Sequence, residues 1–245
     1  MLSSPPLFAG ALLTRAFTAP FDSERKWLHK YTSAWAYHYV KLMPLWKPSF
    51  SGVDHIEDGR TYVLVANHQS LGDILVLFGL FKHFKWVSKR SVFKVPFIGW
   101  NMWLNDYVGL TRGDKQSIAK MLDECRDHLR AGSSVMLFPE GTRSTDGEIK
   151  SFKHGAFTLA KELGLSVVPI VIDGTRDALP KHGLLFPQSA PIAIRIHVLE
   201  PVPPDAAQDA RSLSDLVRGR MMSELAAMRE GRAGATTNGS PRLVG

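Results

Sequence analysis

Cysteine is nearly missing: the 245 residues hold one, Cys125. A lone thiol excludes an internal disulfide framework, a cysteine-based zinc finger and an iron–sulfur cluster, and it fits a reducing compartment. Long uncharged runs are missing too. The longest is the first fourteen residues, with two serines and two prolines among them, whereas a spanning helix needs roughly 20 mostly apolar residues. Residues 7–13 have some of the apolar character of a signal peptide. No Lys or Arg precedes them and Arg15 follows at once, so no export signal is expected. The chain also lacks a Gly-x-Ser-x-Gly elbow, a Walker loop, Gly-x-Gly-x-x-Gly and His-Glu-x-x-His. Serine-nucleophile, nucleotide and metal chemistry therefore have no signature. No internal repeat is found, which argues against solenoids and propellers.

What is present is apolar and basic. A hydrophobic fraction of 44%, with aromatic residues making up 10% of the chain, is enough to bury a core and excludes wholesale disorder. Thirty Lys and Arg against 23 Asp and Glu leave a net charge of +7. That balance calls for an acidic partner: phospholipid, phosphorylated metabolite or nucleic acid.

Pro44 and Pro48 close a first segment. From residue 61 short apolar runs alternate with helical ones: 62–66, 71–81, 115–130, 135–138, 152–163, 167–172 and 192–199. This alternation predicts an α/β fold, a sheet covered by helices, with ligands at the carboxyl ends of strands. Residues 211–229 read as a closing amphipathic helix, and 231–245 as a disordered tail. Cys125 shares the face of Ile118, Met121, Leu122 and Leu129 in the 115–130 helix, the position of a small core residue rather than a nucleophile.

The sharpest local feature is Asn67-His68-Gln69-Ser70-Leu71-Gly72-Asp73, directly after the strand expected at 62–66. Within one regular helix, His68 and Asp73 would point roughly 140° apart. They meet only if His68 lies in the turn and Asp73 in the first helical turn. Ser70-x-x-Asp73 is a capping-box pattern that starts the helix after Ser70 and leaves His68 outside. Two readings follow. Asp73 caps a helix beside an ordinary turn histidine, or it fixes the tautomer of His68 and leaves the other ring nitrogen to take a proton. A second block, Phe138-Pro139-Glu140-Gly141-Thr142-Arg143-Ser144, follows the strand expected at 135–138. Gly141 lets the backbone approach a ligand and Arg143 offers a planar fork for phosphate oxygens; alone, the block also reads as an exposed Pro/Gly turn.

With both blocks in view, the chain resembles the glycerolipid acyltransferases, specifically the 1-acyl-glycerol-3-phosphate (lysophosphatidic acid) acyltransferase family. That family is marked by Asn-His-x-x-x-x-Asp, an arginine after a short apolar strand, Phe-Pro-Glu-Gly-Thr-Arg-Ser and a Val-Pro block. Here they stand in order as Asn67 to Asp73, Tyr107-Val108-Gly109-Leu110-Thr111-Arg112, Phe138 to Ser144, and Val167-Val168-Pro169-Ile170. The resemblance covers about residues 50–200. The second block departs from the family, which has an apolar residue and an aspartate where Leu110 and Thr111 stand.

The resemblance implies a mixed central sheet flanked by helices, with an N-terminal helical membrane anchor over 1–50 and a catalytic domain over 51–230. It implies that His68, oriented by Asp73, deprotonates the free sn-2 hydroxyl of lysophosphatidic acid. That oxygen then attacks the thioester of acyl-CoA or acyl carrier protein to give phosphatidic acid. No covalent acyl-enzyme, metal or resident cofactor is implied; the thioester is a co-substrate. Glu140, Gly141, Thr142 and Arg143 would shape the acceptor site, Arg112 and Arg143 would meet its phosphate, and Lys153 would add a cation or be a plain surface lysine. A backbone N–H near Gly72 is a candidate for the developing oxyanion. Another lysolipid or an acylated amino acid as acceptor stays open, as does a non-catalytic binding role.

Two segments bear on lipid. Residues 25–53 carry Arg25, Lys26, Lys30, Lys41 and Lys47 with Trp27, Tyr31, Trp35 and Tyr39 spaced every four residues. The combination suits an interfacial helix on an anionic membrane surface, at the cytoplasmic face; the alternative is a helix whose aromatic face packs on the domain. Residues 74–105 hold Lys82, Lys85, Lys89, Arg90 and Lys94 among eight aromatic rings, a mixture that also suits single strands, although no nucleic acid is expected as partner.

Overall fold

A computed structural model describes residues 3–179 and 190–237. Its strands are β1 (Trp46–Ser51), β2 (Val63–Ala66), β3 (Phe84–Lys89), β4 (Val108–Leu110), β5 (Ser134–Leu137), β6 (Val167–Asp173) and β7 (Ile192–Val198). They form one sheet in the order β1-β7-β6-β2-β5-β3-β4. Strands β6, β2, β5, β3 and β4 run parallel, β7 is antiparallel to β6, and β1 is parallel to β7. The sheet is mixed, as expected. Strands β2, β5 and β6 are buried at every position, which is why they read as continuous apolar runs rather than alternating ones.

Helices cover both faces. Helices α1 (Ser4–Thr18) and α2 (Lys26–Lys41) precede the sheet, and α3 (Gly72–Leu77) follows β2. Helix α4 (Ile98–Leu104) follows β3, and α5 (Lys115–Arg130) follows β4. Then come α6 (Gly155–Leu163), the single turn α7 (Thr175–Ala178) and α8 (Ala210–Thr237). Helix α5 begins at Asp114, whose Oδ1 accepts from the backbone N–H groups of Gln116 and Ser117 at 3.0 and 3.2 Å. Cys125 is fully buried with Met121 and Leu129, and burial pushes its thiol up to about 12. Helix α8 runs to Thr237, past Gly231 where a tail was expected to begin, because extending an existing helix costs little per residue even through glycine. Positions 238–245 lie outside the described residues.

The N-terminal helices form a hairpin packed on α4. Tyr31 donates to the Leu7 carbonyl at 2.9 Å, and a Cβ on Gly10 would stand 2.1 Å from the Tyr31 hydroxyl oxygen, so only glycine fits beneath that ring. In the expected aromatic stripe Trp35 is buried, Tyr31 and Tyr39 are half-buried, and Trp27 faces outward. A four-residue spacing drifts about 40° per step around a helix, which carries Trp27 off the packed face. Most of the stripe is therefore packing. The apolar side chains left outside include Leu12, Leu13, Phe17, Phe21 and Trp27, together with Trp100 and Trp103 of α4.

Polar side chains staple this hairpin to the sheet. Buried Lys85 donates to the backbone carbonyls of Glu24 and Asn105 at 2.8 and 3.0 Å, and burial lowers its pKa to about 8. His29 Nε2 lies 3.0 Å from the Lys82 carbonyl and Nδ1 lies 2.7 Å from the Tyr107 hydroxyl. A carbonyl only accepts, so the proton is on Nε2 and Tyr107 donates to Nδ1. Burial first, then the neighbouring His83 and Lys85, hold His29 well below its ordinary pKa. The domain boundary expected at residue 50 falls inside the sheet. The helical part ends at Lys41, Trp46 is buried, and Pro48 sits in an edge strand, where the missing N–H is tolerated.

Candidate active site

The two motif blocks converge at the carboxyl ends of β2 and β5, which are neighbours in the sheet. Asn67 leaves β2 and continues its pairing by side chain: Nδ2 donates to the Ile172 carbonyl at 2.9 Å, and the Ile172 N–H donates to Oδ1 at 2.8 Å. The residue after it, His68, is thus fixed at both ends. Its N–H donates to Glu140 Oε1 at 2.8 Å, and its carbonyl accepts from the Ser144 N–H at 2.7 Å. The ring stacks on Phe138 with centroids 4.0 Å apart and planes 13° from parallel.

His68 Nδ1 lies 2.8 Å from Asp73 Oδ2, and Asp73 has no exposed surface. The same oxygen accepts from the Gln69 and Ser70 N–H groups at 2.7 and 2.8 Å. Asp73 Oδ1 accepts from the hydroxyl of Thr175, at the start of α7. The carboxylate therefore has four donors, and it can only accept, so His68 holds its proton on Nδ1. Nε2 has no hydrogen bond among the described residues, and His68 lines the adjoining pocket. The capping arrangement is half of the expected box: Asp73 bonds back to the Ser70 N–H, while Ser70 Oγ accepts from Gly72 at 3.1 Å rather than from Asp73. That bond engages the N–H of Gly72 itself.

The second block is less open than its sequence suggests. Glu140 is buried, and its other oxygen, Oε2, accepts from the Lys150 N–H at 3.0 Å. Both oxygens thus engage backbone N–H groups; Glu140 braces the two loops, although it also borders the pocket. Burial raises its pKa, and the two N–H donors partly offset this. Gly141 has φ +71°, the left-handed region, and turns the chain between Pro139 and Thr142. From α8, Arg218 donates to the carbonyls of Ile149 and Lys150 at 2.9 Å, and Arg229 to that of Gly147 at 2.9 Å, which holds the loop from outside. Arg143 is half-buried, while Thr142, Arg112 and Lys153 are exposed, and all four line the pocket. No carboxylate among the described residues pairs with Arg112, Arg143 or Lys153.

The pocket has a volume of about 1060 Å³. Beyond the polar end its walls are Trp35 and Tyr39 of α2, Ile74 and Leu75 of α3, Trp86 of β3 and Met102 of α4. The N-terminal hairpin is therefore part of the pocket as well as an outer surface. Asn67, Thr175 and the bracing role of Glu140 were not assigned from the sequence. Among the described residues no group of three or more His, Cys, Asp or Glu is placed to hold a metal.

A buried histidine–carboxylate pair thus adjoins a largely apolar pocket that is also lined by Arg112, Arg143 and Lys153. The family model described as Acyltransferase matches residues 47–173, and the chain belongs to that family. It is 37% identical to a 1-acyl-sn-glycerol-3-phosphate acyltransferase of Chlamydomonas reinhardtii, over 91% of this chain and 66% of that one. A chloroplastic 1-acyl-sn-glycerol-3-phosphate acyltransferase of Arabidopsis thaliana is 39% identical over 73% of this chain and 50% of its own length. The chain thus spans between half and two thirds of these two relatives. The crystal structure of the 1-acyl-sn-glycerophosphate acyltransferase of Thermotoga maritima matches with a TM-score of 0.72 and 26% identity, covering 93% of this chain and 95% of that one.

Proposed function

We propose that this chain transfers a fatty acyl group from a thioester, acyl-CoA or acyl carrier protein, to the sn-2 hydroxyl of lysophosphatidic acid. The observation that carries the reading is His68 Nε2, unengaged and backed by Asp73, at the junction of an apolar pocket and a cationic rim. In the reaction Nε2 takes the hydroxyl proton as the oxygen bonds to the thioester carbonyl carbon. The C–S bond then breaks, and the imidazolium returns its proton to the departing thiolate. Both substrates are held together, so the thioester needs no protein nucleophile. The acyl chain occupies the apolar walls, and Arg143 and Arg112, with Lys153 beside them, face the acceptor phosphate. The names of the relatives support this acceptor.

The test follows phosphatidic acid from lysophosphatidic acid and an acyl thioester. Arg143→Ala is expected to raise the acceptor KM at least about tenfold, the loss of one charge-assisted contact, with the donor KM little changed. An unchanged acceptor KM contradicts the phosphate role.

Attachment to an anionic membrane surface is part of the same reading. No helix of the described residues is long and apolar enough to cross a membrane. The outward-facing Leu12, Leu13, Phe17, Phe21 and Trp27 lie with exposed Lys26 and Lys30 on the hairpin, the composition of a helix lying in the headgroup region. Leu13→Glu with Phe17→Glu is expected to abolish flotation with phosphatidylglycerol vesicles and leave the melting temperature unchanged. Full flotation by that variant would remove α1 from the contact.

A further inference from the structure

Residues 172–179, the end of β6 and the single turn α7, touch both motif blocks. The Ile172 backbone pairs with the Asn67 amide, and Ser70 Oγ donates to the Leu179 carbonyl at 2.6 Å. Arg176 donates to the Asp146 carbonyl, in the loop that follows the second block. Thr175 reaches the acid–base pair itself. Its hydroxyl donates to Asp73 Oδ1, the carboxylate oxygen that His68 does not use. Thr175 and Asp73 both have no exposed surface, and Thr175 does not border the pocket. It therefore meets neither substrate, and its route to the reaction is through Asp73.

A buried carboxylate divides its charge among its donors. Each N–H or O–H that it accepts from stabilises the anion and leaves less negative potential for a neighbouring imidazolium. Three donors of Asp73, the His68 ring and the N–H groups of Gln69 and Ser70, meet Oδ2. Among the described residues, Thr175 alone meets Oδ1. Resting on the acyl-transfer reading above, we propose that Thr175 is a positioning residue that sets the strength of the His68 base through Asp73. Its hydroxyl holds Oδ1, keeps Oδ2 for Nδ1 and offsets part of the carboxylate charge. His68 is then unprotonated before the acceptor hydroxyl attacks, and it gives its proton up to the departing thiolate. The other charged groups around the pair are untouched when that hydroxyl is removed. They are Glu140 after β5, which accepts from the His68 N–H, then Arg112, Arg143 and Lys153 on the pocket wall, and Asp173 at the end of β6, 3.6 Å from Arg229 of α8. Arg176 and Asp177 of α7 are exposed.

Imidazole titration by NMR tests this without requiring turnover. The chain has nine histidines, and the His68 signal is the one missing from His68→Ala. Thr175→Val keeps the shape of the side chain and removes the hydroxyl. In it the His68 titration midpoint is expected to rise by about half a pH unit or more, because more of the Asp73 charge is left for the imidazolium. In turnover the acidic limb of kcat/KM for lysophosphatidic acid moves up with the midpoint, about threefold less activity at a given pH on that limb. The KM values for acceptor and donor are expected to change little. Thr175→Ser keeps the hydroxyl and loses a buried methyl group, so it is expected to melt lower and to keep the wild-type midpoint and limb. A purely structural role predicts the opposite order, with the serine variant the more impaired. An unchanged or lowered midpoint in Thr175→Val, or an equal rise in Thr175→Ser, overturns the proposal. A raised midpoint in a protein that acylates no acceptor leaves the Thr175 role standing, and the acyl-transfer reading falls. Phosphatidic acid formed by Thr175→Val with midpoint and limb unmoved keeps the reading and overturns the Thr175 role.

Discussion

His68→Ala is expected to lose at least about 10²–10⁴ of kcat with lysophosphatidic acid as acceptor, the usual span for a positioned general base. The fold should survive this change. The bonds that fix the loop at this position come from the backbone, the N–H to Glu140 and the carbonyl to Ser144, and alanine keeps both. What the side chain gives up is its stack on Phe138 and its bond to Asp73. The stack is worth about 0.5–1.5 kcal/mol beyond burial and the bond to a buried charge about 1.5–3 kcal/mol, so the melting temperature should drop by roughly 5–15 °C. Near-normal turnover by a folded His68→Ala protein would end the general-base account.

Asp73→Asn is expected to damage both catalysis and stability. The carboxylate accepts from His68 Nδ1, two backbone N–H groups and the Thr175 hydroxyl, with no exposed surface. An asparagine supplies one acceptor oxygen and turns two donors toward groups that are themselves donors. If its oxygen faces the loop, Thr175 loses its acceptor; if it faces Thr175, the amide N–H groups oppose Gln69 and Ser70 and drive His68 to the wrong tautomer. Loss of the interactions with a buried charge costs about 2–4 kcal/mol. The turnover loss should reach about 10²–10⁴, because the base can no longer be held with Nε2 unprotonated. The measurements are a melt and a pH–rate profile on the same sample. A variant with wild-type melting temperature and activity would show that the pair is only a helix cap beside a turn histidine.

The central strands were legible because burial on both faces leaves unbroken apolar runs, as in Val63–Ala66 and Val167–Asp173. The His68–Asp73 pair was legible as a possibility, since the capping pattern at Ser70 places the histidine in the turn. Its support was not. Thr175 reaches Asp73 across 102 positions and Glu140 reaches the His68 N–H across 72, contacts that no local pattern encodes. Glu140 was placed in the acceptor site by the family resemblance; both of its oxygens hold backbone N–H groups. The edge strand Trp46–Ser51 was hidden by Pro48 and by its half-polar composition, which an edge position allows. The aromatic stripe of α2 gave the periodicity of the helix but not its neighbour. Only the packing of α1 and α4 around it determines that Trp35 points inward and Trp27 outward.

The central claim is direct acyl transfer to a lysolipid hydroxyl by a histidine base. Thiol release should be followed with acyl-CoA and acyl carrier protein donors, with and without lysophosphatidic acid, for the wild type and His68→Ala. The account expects release that requires the acceptor, yields phosphatidic acid in equal amount and is lost in the variant. Release independent of acceptor, or retained by the variant, or a stable acylated protein formed on the way, would contradict it.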